Sequence, residues 1–249
     1  GTAGYTSTLG CFLYQYGGSF YNDDNTASSL NTEQAIKAFE TYTAMYTDYG
    51  IPLSYDFANR FRSGEMPLAV ADITAYNQLS VFAPEIAALW GVCPLPGVER
   101  EDGTVDNRAV CTVTGGVILS TTDAAEDAWT FLKWWTDGET QSRYGLELEA
   151  VMGTGARYAS ANIEAMQSVE WSKEFRETLT KQQKSLVGMP YIAGGYYTER
   201  NIEFAFRDVV YDGRNLREII GETAAEITNE ITDKRSEFYG EKKGGQDEN

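Results

Sequence analysis

The chain contains no histidine, which removes much of the side-chain chemistry that enzymes run near neutral pH. Ser–His and Cys–His nucleophile pairs need an imidazole to take up a proton, so both are excluded. Cys11, Cys93 and Cys111 form neither a C-x-x-C pair nor a Cys/His set, and no zinc or other metal site is expected. Cys93 and Cys111 both fall in strand-like runs and could face each other. Three small buried apolar side chains are the simpler expectation. Gly153-Thr-Gly155 is not followed by Lys and Ser/Thr, so the chain has no phosphate-cradling loop. Carboxylates abound, and pairs drawn from Glu65, Asp72, Glu147 and Glu149 could in principle supply the acid and base of a glycoside hydrolase. An acidic chain of this length offers such pairs by chance, and none stands in a recognisable catalytic setting. The residues point to a protein that is not an enzyme and needs no cofactor.

What the chain does carry is aromatic rings and planar polar groups: 16 Tyr, 11 Phe and 5 Trp. Rings that stack on a flat apolar face, with polar groups for hydroxyls, are the chemistry of sugar recognition. Most rings belong to cores, so position has to separate the two uses. Phe39, Tyr42 and Tyr46 recur at helical spacing and read as a buried stripe. Trp129 and Phe131 read as core in an amphipathic helix, and Trp90 as core at the start of a strand. The candidates for binding sit at turns and helix starts: Tyr5 and Thr6; Asp72, Thr74 and Tyr76; Gly115 and Gly116, beside Thr114; and Tyr196, Tyr197 and Arg200 after Gly194-Gly195. Bare glycine backbone lets a ring approach closely, and a helix N-terminus with a guanidinium can meet hydroxyls or an anion. Capping and inter-helix contacts are the alternative use for every one of these residues.

Charge narrows the partners. Thirty-seven acidic against twenty basic residues give a formal charge of −17 over 249 residues. Nucleic acid needs a basic stripe, and anionic membrane surfaces need basic clusters; the chain has neither. The acidity reads as solubility. No apolar run approaches the ~20 residues that span a bilayer. The start, Gly1-Thr-Ala-Gly-Tyr, reads as cut from something longer, so a signal peptide or lipid anchor would lie outside this stretch.

The elements that must position these residues can be read from periodicity and punctuation. Residues 5–16 predict a helix stopped by Gly17-Gly18. Asn31, with Gln34 three residues on, predicts the cap of a second helix bearing Ala35, Ile36, Phe39, Tyr42 and Tyr46. A short helix over 57–62 precedes a buried-type strand at 66–71, then a helix over 73–82. Strands are expected at 90–93 and 110–119, on either side of an exposed hairpin or loop at 98–108. Helices are expected at 123–135, 138–148, 172–186 and 197–211, with a loop over 151–161. A long last helix is capped by Asn215 and Glu218, and a charged, Gly-rich tail expected to be disordered follows Phe238. Helices around a few short strands make the class α/β with a small mixed sheet.

Several of these stretches, in this order, resemble the second half of family 1 extracellular solute-binding proteins, the group that includes maltose-binding protein. They are Phe61-Arg-Ser-Gly-Glu-Met-Pro-Leu-Ala-Val, Trp90-Gly-Val-Cys-Pro-Leu-Pro-Gly, Thr114-Gly-Gly-Val-Ile-Leu and Ala125-Glu-Asp-Ala-Trp-Thr-Phe-Leu-Lys-Trp-Trp. The later Gly195-Tyr-Tyr-Thr-Glu-Arg-Asn-Ile is similar to unusually long members in which this module is the C-terminal part. The resemblance implies a type II periplasmic-binding fold, two α/β lobes with the solute between them. It implies that 1–110 and 160–237 build the C-terminal lobe, that 111–159 crosses toward the N-terminal lobe, and that 238–249 is a tail. It implies capture of an extracellular solute, a carbohydrate, for the permease subunits of an ABC importer. The location implied is the cell surface, on a membrane-anchored lipoprotein parent, or the periplasm. Tyr5 and Thr6 correspond to a point that faces the cleft in that family. Asp72, Thr74 and Tyr76 stand where the family places an aromatic and a polar group against the solute. The family often has Trp after the 66–71 strand; Thr74 and Tyr76 stand here instead. An interaction module of a larger cell-surface protein, with no ligand of its own, is the alternative reading.

Overall fold

The structure, a computed structural model, describes residues 5–100 and 102–240. In chain order its helices are α1 (Tyr5–Gln15), α2 (Glu33–Thr47), α3 (Phe57–Arg62), α4 (Thr74–Phe82), α5 (Ala125–Thr136), α6 (Gly138–Met152), α7 (Ile163–Ser168), α8 (Lys173–Gln183), α9 (Tyr196–Val210) and α10 (Leu216–Tyr239). The strands are β1 (Val98–Glu99), β2 (Val105–Asp106), β3 (Ala109–Cys111) and β4 (Leu186–Gly188). β1 and β2 form an antiparallel hairpin, and β3 pairs with β4 in parallel, Val110 opposite Val187. The chain divides into two compact units. The first takes residues 1–55, 95–112 and 182–249, and the second takes 56–94 and 113–181.

The first unit holds the main core. Leu9 and Leu13 from α1, Phe39 and Tyr42 from α2, Ile202 and Phe206 from α9, and Ile220, Ile227 and Ile231 from α10 are buried together. Helical spacing of the apolar residues dictates this, because residues three and four apart share a face. Local signals set the ends. Gly17 takes φ +82°, the left-handed conformation that suits a side chain without a Cβ, just past α1. The Asn215 side chain accepts from the Glu218 N–H at 3.1 Å and caps α10. The cap of α2 is Thr32 rather than the expected Asn31: its hydroxyl accepts from Ala35 N–H while donating to the Ser29 carbonyl. α10 continues through Phe238 to Tyr239, and 241–249 lie outside the described residues.

The second unit has a smaller core of Met166, Val169, Trp171 and Phe175, against which Tyr76, Ile73, Val92 and Leu179 pack. Three expectations fail. The runs 66–71 and 90–93 form no strand, and of 110–119 only the first two residues do, within β3. A strand exists only where another backbone takes up its N–H and C=O groups, and none of the described residues does so for 66–71 or 113–119. The α5 helix forms as expected but buries no residue, so Trp129 and Phe131 are not core; both are about half exposed. Cys93 is exposed and Cys11 and Cys111 are half-buried, and all three are free, so the expected set of three buried thiols does not occur.

Candidate functional site

In the first unit the aromatic candidates lie on or against α9 at two places. Tyr196 and Tyr197 open the helix. Tyr196 is exposed and donates to Glu230 Oε1 at 2.5 Å, and this hydrogen bond to a carboxylate raises its hydroxyl pKa. Arg200, one turn on, is exposed and lies 5.2 Å from the centroid of the Phe204 ring. Positions 196, 200 and 204 share one helix face, so Tyr196, Arg200 and Phe204 make an open ridge of two rings and a guanidinium. Tyr197, half-buried, stands beside Tyr196 with ring centroids 6.4 Å apart. The start of α9 is held from beneath: the Tyr21 hydroxyl and Thr198 Oγ1, both buried, share a hydrogen bond of 2.8 Å. Burial raises the Tyr21 pKa, and the bond to Thr198 offsets part of that rise.

Tyr5, the first residue of α1, packs against a different part of α9. Its ring meets Phe206 at 5.0 Å, nine residues past Tyr197 and so about 14 Å further along α9. Phe206 also meets Tyr42 and Tyr46 at 5.0 Å each, so Tyr5 closes the rim of the main core. Thr6 is buried, and its hydroxyl has no partner among the described residues. The first unit therefore brings Tyr196, Tyr197 and Arg200 together and sets Tyr5 and Thr6 apart from them.

In the second unit Asp72 and Thr74 serve the entry to α4. The Asp72 carboxylate accepts from the Thr74 N–H at 2.8 Å and from its hydroxyl. Tyr76 sits in an aromatic cluster: Phe175 at 4.0 Å, Trp90 and Trp171 at 5.4 Å each. The Trp90 and Trp171 indole N–H groups are buried without partners among the described residues. Arg157 lies over Trp171 at 5.5 Å while its Nε donates to Glu149 at 2.8 Å, a pair with little exposure. Trp171, two residues ahead of α8, and Phe175, in its first turn, are functional-site residues that the sequence did not single out. Phe175 falls in the helix expected over 172–186, but the meeting of both rings with Tyr76 had no local signal. A Cβ on Gly116 would stand 2.7 Å from Leu132 Cδ2, so its bare backbone accommodates α5; a Cβ on Gly115 would meet nothing within 4 Å. Among the described residues no group of His, Cys, Asp and Glu could hold a metal ion.

Residues 2–173 match the sequence model of the family described as bacterial extracellular solute-binding protein. The chain belongs to that family. Solved structures give the fold of this solute-binding family member. The sugar-binding protein MalE from Xanthomonas citri superposes with a TM-score of 0.71 at 16% identity, over 95% of this chain and 58% of its own. An ABC transporter solute-binding protein from Thermotoga lettingae, bound with α-D-tagatose, gives 0.65 at 18% over 91% and 56%. Maltose-bound MalE3 of T. maritima gives 0.63 at 17% over 90% and 57%. The fold is thus the type II periplasmic-binding fold, helix-rich α/β, and the chain spans less than three-fifths of each of these three structures. A comparison with curated sequences gives no match.

Proposed function

We propose that this chain is part of a non-catalytic protein that captures a carbohydrate outside the cytoplasm and hands it to the permease of an ABC importer. The observation that carries the reading is the family match over 2–173, joined by similarity to proteins described as binding tagatose and maltose. In this reading residues 1–110 and 160–237 belong to the C-terminal lobe, 111–159 cross toward the other lobe, and the parent is held at the cell surface. Solute binding favours the closed arrangement of lobes through its higher affinity for that state. The open ridge of Tyr196, Arg200 and Phe204, with Tyr197 beside it, has the rings and donors that a sugar needs.

Calorimetric titration of the protein with mono- and oligosaccharides, maltose and tagatose among them, tests the reading. A saturable response to a sugar is expected, and Tyr197→Ala should weaken it about 2–10-fold with the circular dichroism spectrum unchanged, the loss of one stacking ring. Silence toward every sugar, with amino acids or peptides binding instead, overturns the carbohydrate assignment. Unchanged affinity in Tyr197→Ala removes that residue from the site.

A further inference from the structure

Asp-Gly is the dipeptide whose side-chain carboxyl is most open to the next backbone nitrogen, because glycine sets no Cβ in the way. The chain holds three: Asp102-Gly103, Asp137-Gly138 and Asp212-Gly213. All three aspartates are exposed, so solvent access does not rank them. What each carboxyl and amide already does in the fold separates them. The Asp102 carboxylate accepts from the Thr104 N–H at 2.9 Å and from its hydroxyl at 2.6 Å, and the Gly103 N–H donates to the Arg100 carbonyl at 2.9 Å. Asp137 caps α6, accepting from the N–H groups of Glu139 at 3.0 Å and Thr140 at 3.2 Å. Gly138 is the first residue of α6, so close to α7 that a Cβ there would stand 2.6 Å from Glu164 Oε2. Asp212-Gly213 lies in the turn between α9 and α10. Among the described residues its carboxylate has no hydrogen bond or ion pair, and the Gly213 N–H has no acceptor. The nearby Arg214 guanidinium goes to Asp208 and Glu222 instead.

We infer that Asp212 is a site of spontaneous covalent modification, the one Asp-Gly of the three that the fold leaves free to isomerise. In the protonated carboxyl, Cγ is open to attack by the Gly213 nitrogen. The new N–Cγ bond forms as the Cγ–OH bond breaks, the hydroxyl leaves with the amide proton as water, and a succinimide ring results. Water then adds back. Addition at Cγ restores aspartate. Addition at the Asp212 backbone carbonyl breaks its bond to nitrogen and leaves isoaspartate, with the main chain running through Cβ and Cγ. One water leaves and one returns, so no oxidant or other reactant is needed and the mass is unchanged. Ring closure requires carboxyl and peptide to rotate into reach of each other. At Asp102 and Asp137 the hydrogen bonds described above must open first, which slows closure about tenfold or more, since about 1.4 kcal/mol on a barrier is tenfold in rate. In the isomer the extra main-chain carbon falls between the two contacts that hold the turn, Asp212 N–H to the Arg207 carbonyl at 3.4 Å and Arg214 N–H to the Asp208 carbonyl at 3.0 Å. The inference is independent of the solute and of the carbohydrate reading.

The test ages the 249-residue chain in warm, mildly acidic buffer and digests it with trypsin. Cleavage after Lys and Arg puts each dipeptide in a peptide of its own, 101–108, 134–143 and 208–214. Chromatography separates isoaspartyl from aspartyl forms, and electron-transfer fragmentation names the residue. Isoaspartate at 212 is expected to build up at least tenfold faster than at 102 or 137. In urea, with the protection of the fold gone, the three rates should come within about threefold of one another. Asp212→Glu, whose ring would be one atom larger and closes far more slowly, should abolish the change in 208–214 with the far-UV spectrum unchanged. Absence of isoaspartate at 212, its earlier appearance at 102 or 137, or the same ranking in urea at the same ratio would overturn the inference.

Discussion

The bond between Tyr21 and Thr198 allows the support beneath the first turn of α9 to be measured. Tyr21 is 3% exposed and Thr198 fully buried, and their hydroxyls are 2.8 Å apart. A Cβ placed on Gly195 would lie 3.2 Å from the Tyr21 oxygen, so the hydroxyl is packed closely under the turn. Tyr21→Phe leaves Thr198 Oγ1 without its side-chain partner, and Thr198→Val does the same to the tyrosine. A buried polar group deprived of its partner costs about 1–3 kcal/mol. Removing both hydroxyls leaves no polar group stranded, so the double variant should lose less than the sum of the singles, by about 1–2 kcal/mol. Urea unfolding followed by far-UV circular dichroism reads these differences as midpoint shifts of roughly 0.5–1.5 M for a slope near 2 kcal/mol/M. Tryptophan emission, which reports the second unit, is recorded in parallel to separate a loss in the first unit from a general one. Single variants within about 0.3 kcal/mol of the native chain, or a strictly additive double variant, would refute the argument that this bond holds α9 in place.

Three further outcomes follow from the packing. Phe206→Ala removes a ring 1% exposed that meets Tyr5, Tyr42 and Tyr46, and should cost about 3–5 kcal/mol in the same unfolding assay. Asn215→Ala deletes the cap of α10 and should lower the thermal midpoint by a few degrees, for a loss of about 1 kcal/mol. Burial alone would raise the Asp106 carboxyl, but the side chain and backbone N–H of Arg108, with Arg100, hold it below the ordinary aspartate range. Its folded-state pKa is therefore depressed, so its contribution is full above the unfolded value near pH 4 and disappears as pH falls through the lower folded value. The stability gap between the native chain and Asp106→Asn should narrow on acidification through that window, and a gap that widens instead would contradict it.

Helices were legible where the signal is local. The Gly17 stop, the Asn215 cap and the stripe of Phe39 and Tyr42 lie within a few residues of what they control, and the structure keeps them. The ordered motifs from Phe61 to Trp135 were enough to point to the family and its fold. Strands are a different matter, because a run such as 66–71 has strand composition on its own but becomes a strand only when another backbone pairs with it. β3 and β4 show the converse: the helix expected over 172–186 stops at Gln183, and Leu186–Gly188 is a strand because Val110 lies opposite Val187. The periodicity of α5 predicted an apolar face, while its exposure depended on what lies over that face. Sequence alone proposed Tyr196, Tyr197 and Arg200 from their place after Gly194-Gly195. Only tertiary structure separated Tyr5 from them along α9, and brought Trp171 and Phe175 onto Tyr76 across nearly a hundred residues. The physical reason is the same throughout: helix propensity and capping act within a turn or two, whereas strand pairing, burial and the meeting of side chains depend on residues far away in the chain.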